Sequence, residues 1–228
     1  MPYYYGFDPY FILVIPALII SLLAQIKVKS SFSKYSRVAS RITGAEAARR
    51  VLEQNGVFGV TIERVAGELT DHFDPKTNTI HLSQSVYDTA SVAAVGVAAH
   101  EAGHAVQYAQ GYTPIKIRSF ILPVCQLGSK AAMPLFLFGL IFSFPVLIEL
   151  GILFFCVAML FQLVTLPVEF NASSRAVRAI SESGIFTDER ELKGVKSVLS
   201  AAAMTYVAAL IVSLAQLLRL LALSRRRR

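Results

Sequence analysis

Residues 131–148, AAMPLFLFGLIFSFPVLI, are separated only by Glu149 from residues 150–168, LGILFFCVAMLFQLVTLPV. Each uncharged run is about as long as a helix must be to cross the hydrocarbon of a bilayer. Working outward, residues 9–26 and 197–218 form two more uncharged runs of that kind. Charged residues make up only 16% of the 228-residue chain and hydrophobic residues 54%. A soluble domain carries about 25% charge. The mean hydropathy of +0.54 points the same way. Disorder, a collagen-like rod and a disulfide scaffold are excluded. The chain reads as a mainly α, polytopic membrane protein with about four transmembrane helices.

The formal net charge is +7. The basic residues stand beside the apolar runs, where positive charge encodes topology, and no basic recognition element for nucleic acid is present. Cys125 and Cys156 lie in apolar surroundings without a CxxC spacing and read as small apolar fillers. Trp is absent, so interfacial aromatic anchors fall to tyrosines such as Tyr3, Tyr4, Tyr5 and Tyr10. No Lys or Arg precedes the first apolar run, whereas Lys27, Lys29, Lys34, Arg37 and Arg41 follow it. That asymmetry describes an anchor rather than a cleavable signal peptide, with the N-terminus outside and the next loop in the cytoplasm.

The chain divides by composition into an anchor (1–26), a polar α+β segment (27–118), an apolar segment (119–168), a second polar segment (169–196) and a final span with a basic tail (197–228). In the first polar segment, Thr43 and Glu46 fit a capping box that opens a helix ending at Asn55-Gly56. Short alternating runs at 60–65, 69–73 and 79–82, separated by Gly67 and by 75–78, predict a small sheet or meander. A second helix is expected over 89–110, ended by Gly111 and Pro114. A span over 120–142 would set Lys130 near the bilayer centre, at roughly 2.5–3.5 kcal/mol on insertion scales. The span is therefore expected to start near Lys130 and to turn within 143–151, leaving 115–129 largely interfacial.

The helix over 89–110 carries His100-Glu101-Ala102-Gly103-His104, an HExxH motif. Residues four apart share a helical face, so both imidazoles can reach one Zn²⁺. Glu101, one residue round, can hold a water beside the metal and take its proton. Catalytic zinc usually has three protein ligands and an open position. Positions 107 and 110 are Gln107 and Gln110, and no histidine follows His104, so a carboxylate is expected. The strongest candidate is Glu169, which a returning apolar hairpin delivers to the membrane face that holds the histidines. Glu182 and the acidic residues at 188–191 read as solvated surface.

HEAGH, an apolar hairpin and then Leu166-Pro-Val-Glu-Phe-Asn-Ala-Ser173 resemble the YugP-type neutral zinc metallopeptidases, membrane-bound enzymes with an HExxH…ExxA layout. The HtpX-like proteases are similar at a greater distance. The resemblance runs from about Tyr10 to the last span and takes in Asp74-Pro75, Leu82-Ser83 and Val86-Tyr87. It implies a zincin-like catalytic segment, with His100, His104 and Glu169 as ligands of one Zn²⁺ and Glu101 as general base. It also implies a multi-pass protein of the bacterial plasma membrane. Related enzymes often place an Asp four residues after the third ligand to orient a ligand histidine; here that residue is Ser173, with Asn171 two positions earlier. A strand that pairs with substrate backbone beside the zinc is also implied, and 79–83 is the natural candidate. His72, His81, Arg175 and Tyr206 are the candidate electrophiles for the oxyanion.

These readings converge on an integral membrane zinc endopeptidase whose partners are polypeptides, membrane proteins among them, and the lipid bilayer. Residues 27–118 hold eleven Lys or Arg, which places the site in the cytoplasm and both termini outside. The terminal run Arg225–Arg228 opposes that orientation, but the first span usually sets it. A non-catalytic zinc scaffold or sensor would share the ligands without needing Glu101. A channel would need ionisable residues within the spans, where only Lys130, Glu149 and Arg219 lie near. A site inside the bilayer conflicts with the short uncharged run before His100.

Overall fold

The computed structural model describes residues 8–184, 186 and 188–225. Tyr3, Tyr4, Tyr5 and residues 226–228 lie outside them. Four helices are long and apolar enough to cross a membrane: α1 (Ile15–Tyr35), α5 (Thr113–Ile141), α6 (Pro145–Glu182) and α7 (Glu189–Arg225). The remaining helices are α2 (Gly44–Gln54), α3 (Gln84–Tyr87) and α4 (Val92–Ala109), beside the strands β1 (Thr61–Val65), β2 (His72–Asp74) and β3 (Thr79–Ser83).

α5 and α6 form an antiparallel hairpin. Its turn lies at the near edge of the expected range, where Ser143 takes a left-handed φ of 57° and Pro145 opens α6. Proline suits a first helical turn because its missing N–H has no partner there anyway. The helices touch closely at Gly151, where an added Cβ would stand 2.7 Å from the Phe136 backbone nitrogen. Residues 115–129 do not form a separate element; they are the first half of α5. Cys125, near their end, still packs on α6, with its Sγ 3.9 Å from the Val157 carbonyl. Backbone hydrogen bonding favours one unbroken helix, and Lys130 is carried as an exposed side chain on a long flexible stem.

α1 packs against α7 with the chain running the opposite way. The Ser31 and Ser197 hydroxyls meet at 3.1 Å near one end, and Arg219 pairs with Asp8 near the other. The polar segment 169–196 is mostly not a loop. α6 runs on to Glu182 and α7 starts at Glu189, so charged residues extend both helices beyond their apolar parts. The uncharged run 197–218 is likewise not lipid-facing throughout: Val198, Leu199, Ala201 and Ala203 are buried in the protein. Leu199 shares one core with Val95, Ala98 and Ala102 of α4 and with Ala176 and Ile180 of α6.

The capping box is present, with the Thr43 side chain accepting from the Glu46 N–H and Glu46 accepting from the Thr43 N–H. α2 packs on α4 through Ala47, Ala48, Val51 and Leu52. The sheet is mixed, in the order β1-β3-β2. β3 runs parallel to β1, with Thr61 opposite Thr79, and antiparallel to β2, with His72 opposite His81. The sheet is therefore not a meander. The candidate substrate-binding strand is its central strand, with both hydrogen-bonding edges already used. Its Ile80 and Leu82 are fully buried in the core shared with α4. The edge facing the histidine helix is β2.

Candidate metal centre

α4 begins at Ser91, whose hydroxyl accepts from the Ala94 N–H at 3.2 Å. Small residues follow, so other helices approach it closely. An added Cβ at Gly103 would stand 2.7 Å from the Ala172 carbonyl oxygen of α6. Nothing larger than glycine fits there, and that approach carries Glu169 up to the histidines. Glu169 is 2% exposed, His104 6% and Glu101 8%.

The ligand-type atoms of His100, His104 and Glu169 lie within 4.8 Å of one another, the one such group of three among the described residues. Both rings turn Nε2 toward the same carboxylate oxygen. Glu169 Oε2 is 3.2 Å from His100 Nε2 and 3.6 Å from His104 Nε2. The far nitrogens are held in place. His100 Nδ1 meets the Ser173 hydroxyl at 3.1 Å, and His104 Nδ1 donates to Gln107 Oε1 at 3.0 Å. The Gln107 amide then donates to the Val168 carbonyl and to Asn171 Oδ1, each at 2.9 Å. Two nitrogens and one oxygen converging, each ring fixed from behind, is the donor set and outer support that a His₂Glu metal site requires.

Burial of His104 favours its neutral ring. The hydrogen bond to Glu169 and the negative charges of Glu101 and Glu169 outweigh that effect and raise its pKa above the ordinary histidine value. A metal must displace this proton, so affinity should rise with pH.

Two cavities of about 160 Å³ each open on the cluster. The first lies between α1, α4 and α7 and is walled mainly by apolar side chains. The second is polar and includes Asp71, His72, Phe73 and Arg118. Asp71, His100, Glu101, Glu169 and Tyr206 line both. Of the candidate electrophiles, Tyr206 therefore stands at the site and His72 in the polar cavity. His81 lies in the central strand with Nδ1 buried. Arg175 is turned aside, donating to Asn171 and Gln110 and lying over the Tyr112 ring.

The sequence reading missed two residues. Arg118 had the appearance of a topology-setting charge, yet its guanidinium is 3.5 Å from Glu169 Oε1. Gln107 stood out only as a missing histidine. Its position three residues after His104, on the same helical face, was the available signal.

The profile of a family described as "Putative neutral zinc metallopeptidase" matches residues 10–225. A protein described as "Putative membrane protease YugP", from Bacillus subtilis (strain 168), is 51% identical over 209 residues, covering 91% of this chain and 92% of that protein. No solved structure matches significantly.

Proposed function

The chain belongs to the neutral zinc metallopeptidase family, and from that premise we propose that it is an integral membrane endopeptidase holding one Zn²⁺ through His100, His104 and Glu169. The observation that carries this reading is the convergence of those three donors beside Glu101, where the two cavities meet. When bound, the metal supplies Lewis-acid polarisation of a carbonyl and acidifies water. Glu101 takes a proton from the attacking water at its carboxylate as the new C–O bond forms. It then delivers that proton to the amine nitrogen as the C–N bond breaks. Tyr206 and Arg118 are the donors available to the negative charge that grows on the carbonyl oxygen. Ser173 and Gln107 keep the two imidazoles aimed.

The substrates are polypeptides, membrane proteins among them, cleaved at the cytoplasmic face of a bacterial plasma membrane in quality control or processing. The charge pattern supports that side. Ser83 is fully buried, so an orientation probe belongs on the exposed β2–β3 turn. Thr77→Cys in a chain lacking Cys125 and Cys156 should resist an impermeant thiol reagent in intact cells, and rapid labelling overturns the orientation.

The chemistry is tested by Glu101→Gln. Zinc content should be retained while peptide hydrolysis falls by roughly 10²–10⁴-fold. Undiminished turnover removes Glu101 as the base and favours another role for the site.

A further inference from the structure

We propose that the cavity between α1, α4 and α7 is the specificity pocket of the site and takes one large apolar side chain, of leucine or phenylalanine size, from the polypeptide beside the bond that is cut. The inference rests on the peptidase reading above and deepens it by naming the substrate feature the enzyme selects.

The walls are Val28 and Phe32 of α1, Val97 of α4, and Val198, Leu199 and Ala202 of α7. The floor is chemical, formed by His100, Glu101 and Glu169. At about 160 Å³ the cavity is close to the roughly 150 Å³ apolar void known to hold benzene. One aromatic ring or one branched aliphatic side chain therefore fills it. Asp71 stands at the border of both cavities, and the opposite one, with His72 and Arg118, has no comparable apolar wall. A chain lying across the cluster thus meets an apolar slot on one side and a polar, charged one on the other.

A second observation falls on the same cavity. Leu69, in the β1–β2 loop, lines it while 49% exposed, and its φ is +54°. The left-handed region is costly for a leucine, and such strain gathers at ligand clamps. A large apolar side chain held there in water, beside an apolar slot, gains a partner only when something fills that slot.

The walls also identify the residues that set the size of the pocket. Ala202 is the small residue on α7 one turn after Val198. A phenylalanine at 202 projects into the slot, whereas alanine at 198 deepens it.

The test uses the full-length, zinc-loaded protein in detergent and a random peptide library with cut sites mapped by mass spectrometry. The wild type should show Leu or Phe enriched tenfold or more over Ala at one position flanking the cut. Ala202→Phe should shift that position to Ala, Gly or Ser, and Val198→Ala should shift it toward Phe. A second readout needs no turnover. In the Glu101→Gln background, dansyl-Gly-Gly-Leu-Gly-Gly should bind at least tenfold more tightly than its Ala counterpart, and Ala202→Phe should erase the difference. A cut-site preference unchanged in both variants, or equal binding of the two peptides, overturns the pocket. A wild type that cuts nothing yet keeps the Leu-over-Ala binding preference overturns the peptidase reading while the pocket stands.

Discussion

Around α4 the protein buries its apolar side chains, large ones such as Ile80, Leu82 and Val95 together with small ones: Ala47, Ala48, Ala98, Ala99 and Ala102 are essentially inaccessible. The α5–α6 hairpin does the reverse. Phe120 is 85% exposed, Leu127 73% and Ile141 71%, while glycine and alanine face the partner helix. Both regions are rich in apolar residues, but apolar character has a different use in each. In the first it lets backbones approach closely, as Gly103 does to Ala172, and brings Glu169 to the two histidines. In the second it meets lipid, and small residues such as Gly139 and Gly151 let the helices close around Phe136 and Ile148, as expected where burial from water supplies no drive. The candidate metal cluster sits on the seam, with His100 and His104 from the first region and Glu169 from the second.

The seam is the place to break the comparison. Glu169→Ala removes the contribution of the hairpin and should abolish both zinc binding and hydrolysis, whereas Glu182→Ala, on the exposed end of the same helix, should affect neither. Zinc titration of the two variants in detergent decides this, and full zinc occupancy in Glu169→Ala sends the search for the third ligand elsewhere.

Smaller effects sharpen the contrast. Tyr206→Phe should keep zinc but lower kcat by roughly 10²-fold, the usual loss for one oxyanion donor. An unchanged kcat would leave the task to Arg118. Gln107→Leu should weaken zinc about 10–100-fold by freeing the His104 ring, with competitive chelation as the readout. Gly103→Ala forces α4 and α6 apart. It should cost about 1–3 kcal/mol by overpacking, seen as a lower Tm together with weaker zinc binding. Loss of stability with unchanged zinc affinity would show that the approach supports the fold alone.

The smallest expected effect belongs to Asp71, in the polar cavity. Burial raises its pKa above the ordinary aspartate value, although Ser83 donates to it from both its N–H and its hydroxyl. The folded protein then holds this proton more tightly than the unfolded chain does. The linked stability falls as pH rises from the unfolded value toward the folded one. Asp71→Asn should flatten that part of the stability–pH curve, measured by denaturation in detergent, and an unaltered slope would assign it to another group.

The sequence by itself determined the fold class and the pairing of the two histidines on one helix. Uncharged runs near 20 residues can satisfy their backbone in a membrane only as helices, and HExxH puts two imidazoles and a carboxylate on neighbouring faces of one helix whatever surrounds it. Helix α2 was equally legible, because the Thr43–Glu46 box is a local interaction. Only the tertiary structure decided the rest. The strand at 79–83 has the alternation of an edge or a centre alike, and its two neighbours, not its own residues, make it central. The run 197–218 is uncharged for two reasons that composition cannot separate, contact with protein at Leu199 and Ala203 and a membrane-spanning length beyond. Arg118, Gln107, Ser173 and Tyr206 reach the site from four helices, up to about one hundred residues apart in the chain. Their convergence depends on helix crossings set by single close contacts such as Gly103 on Ala172, and no local pattern encodes a crossing.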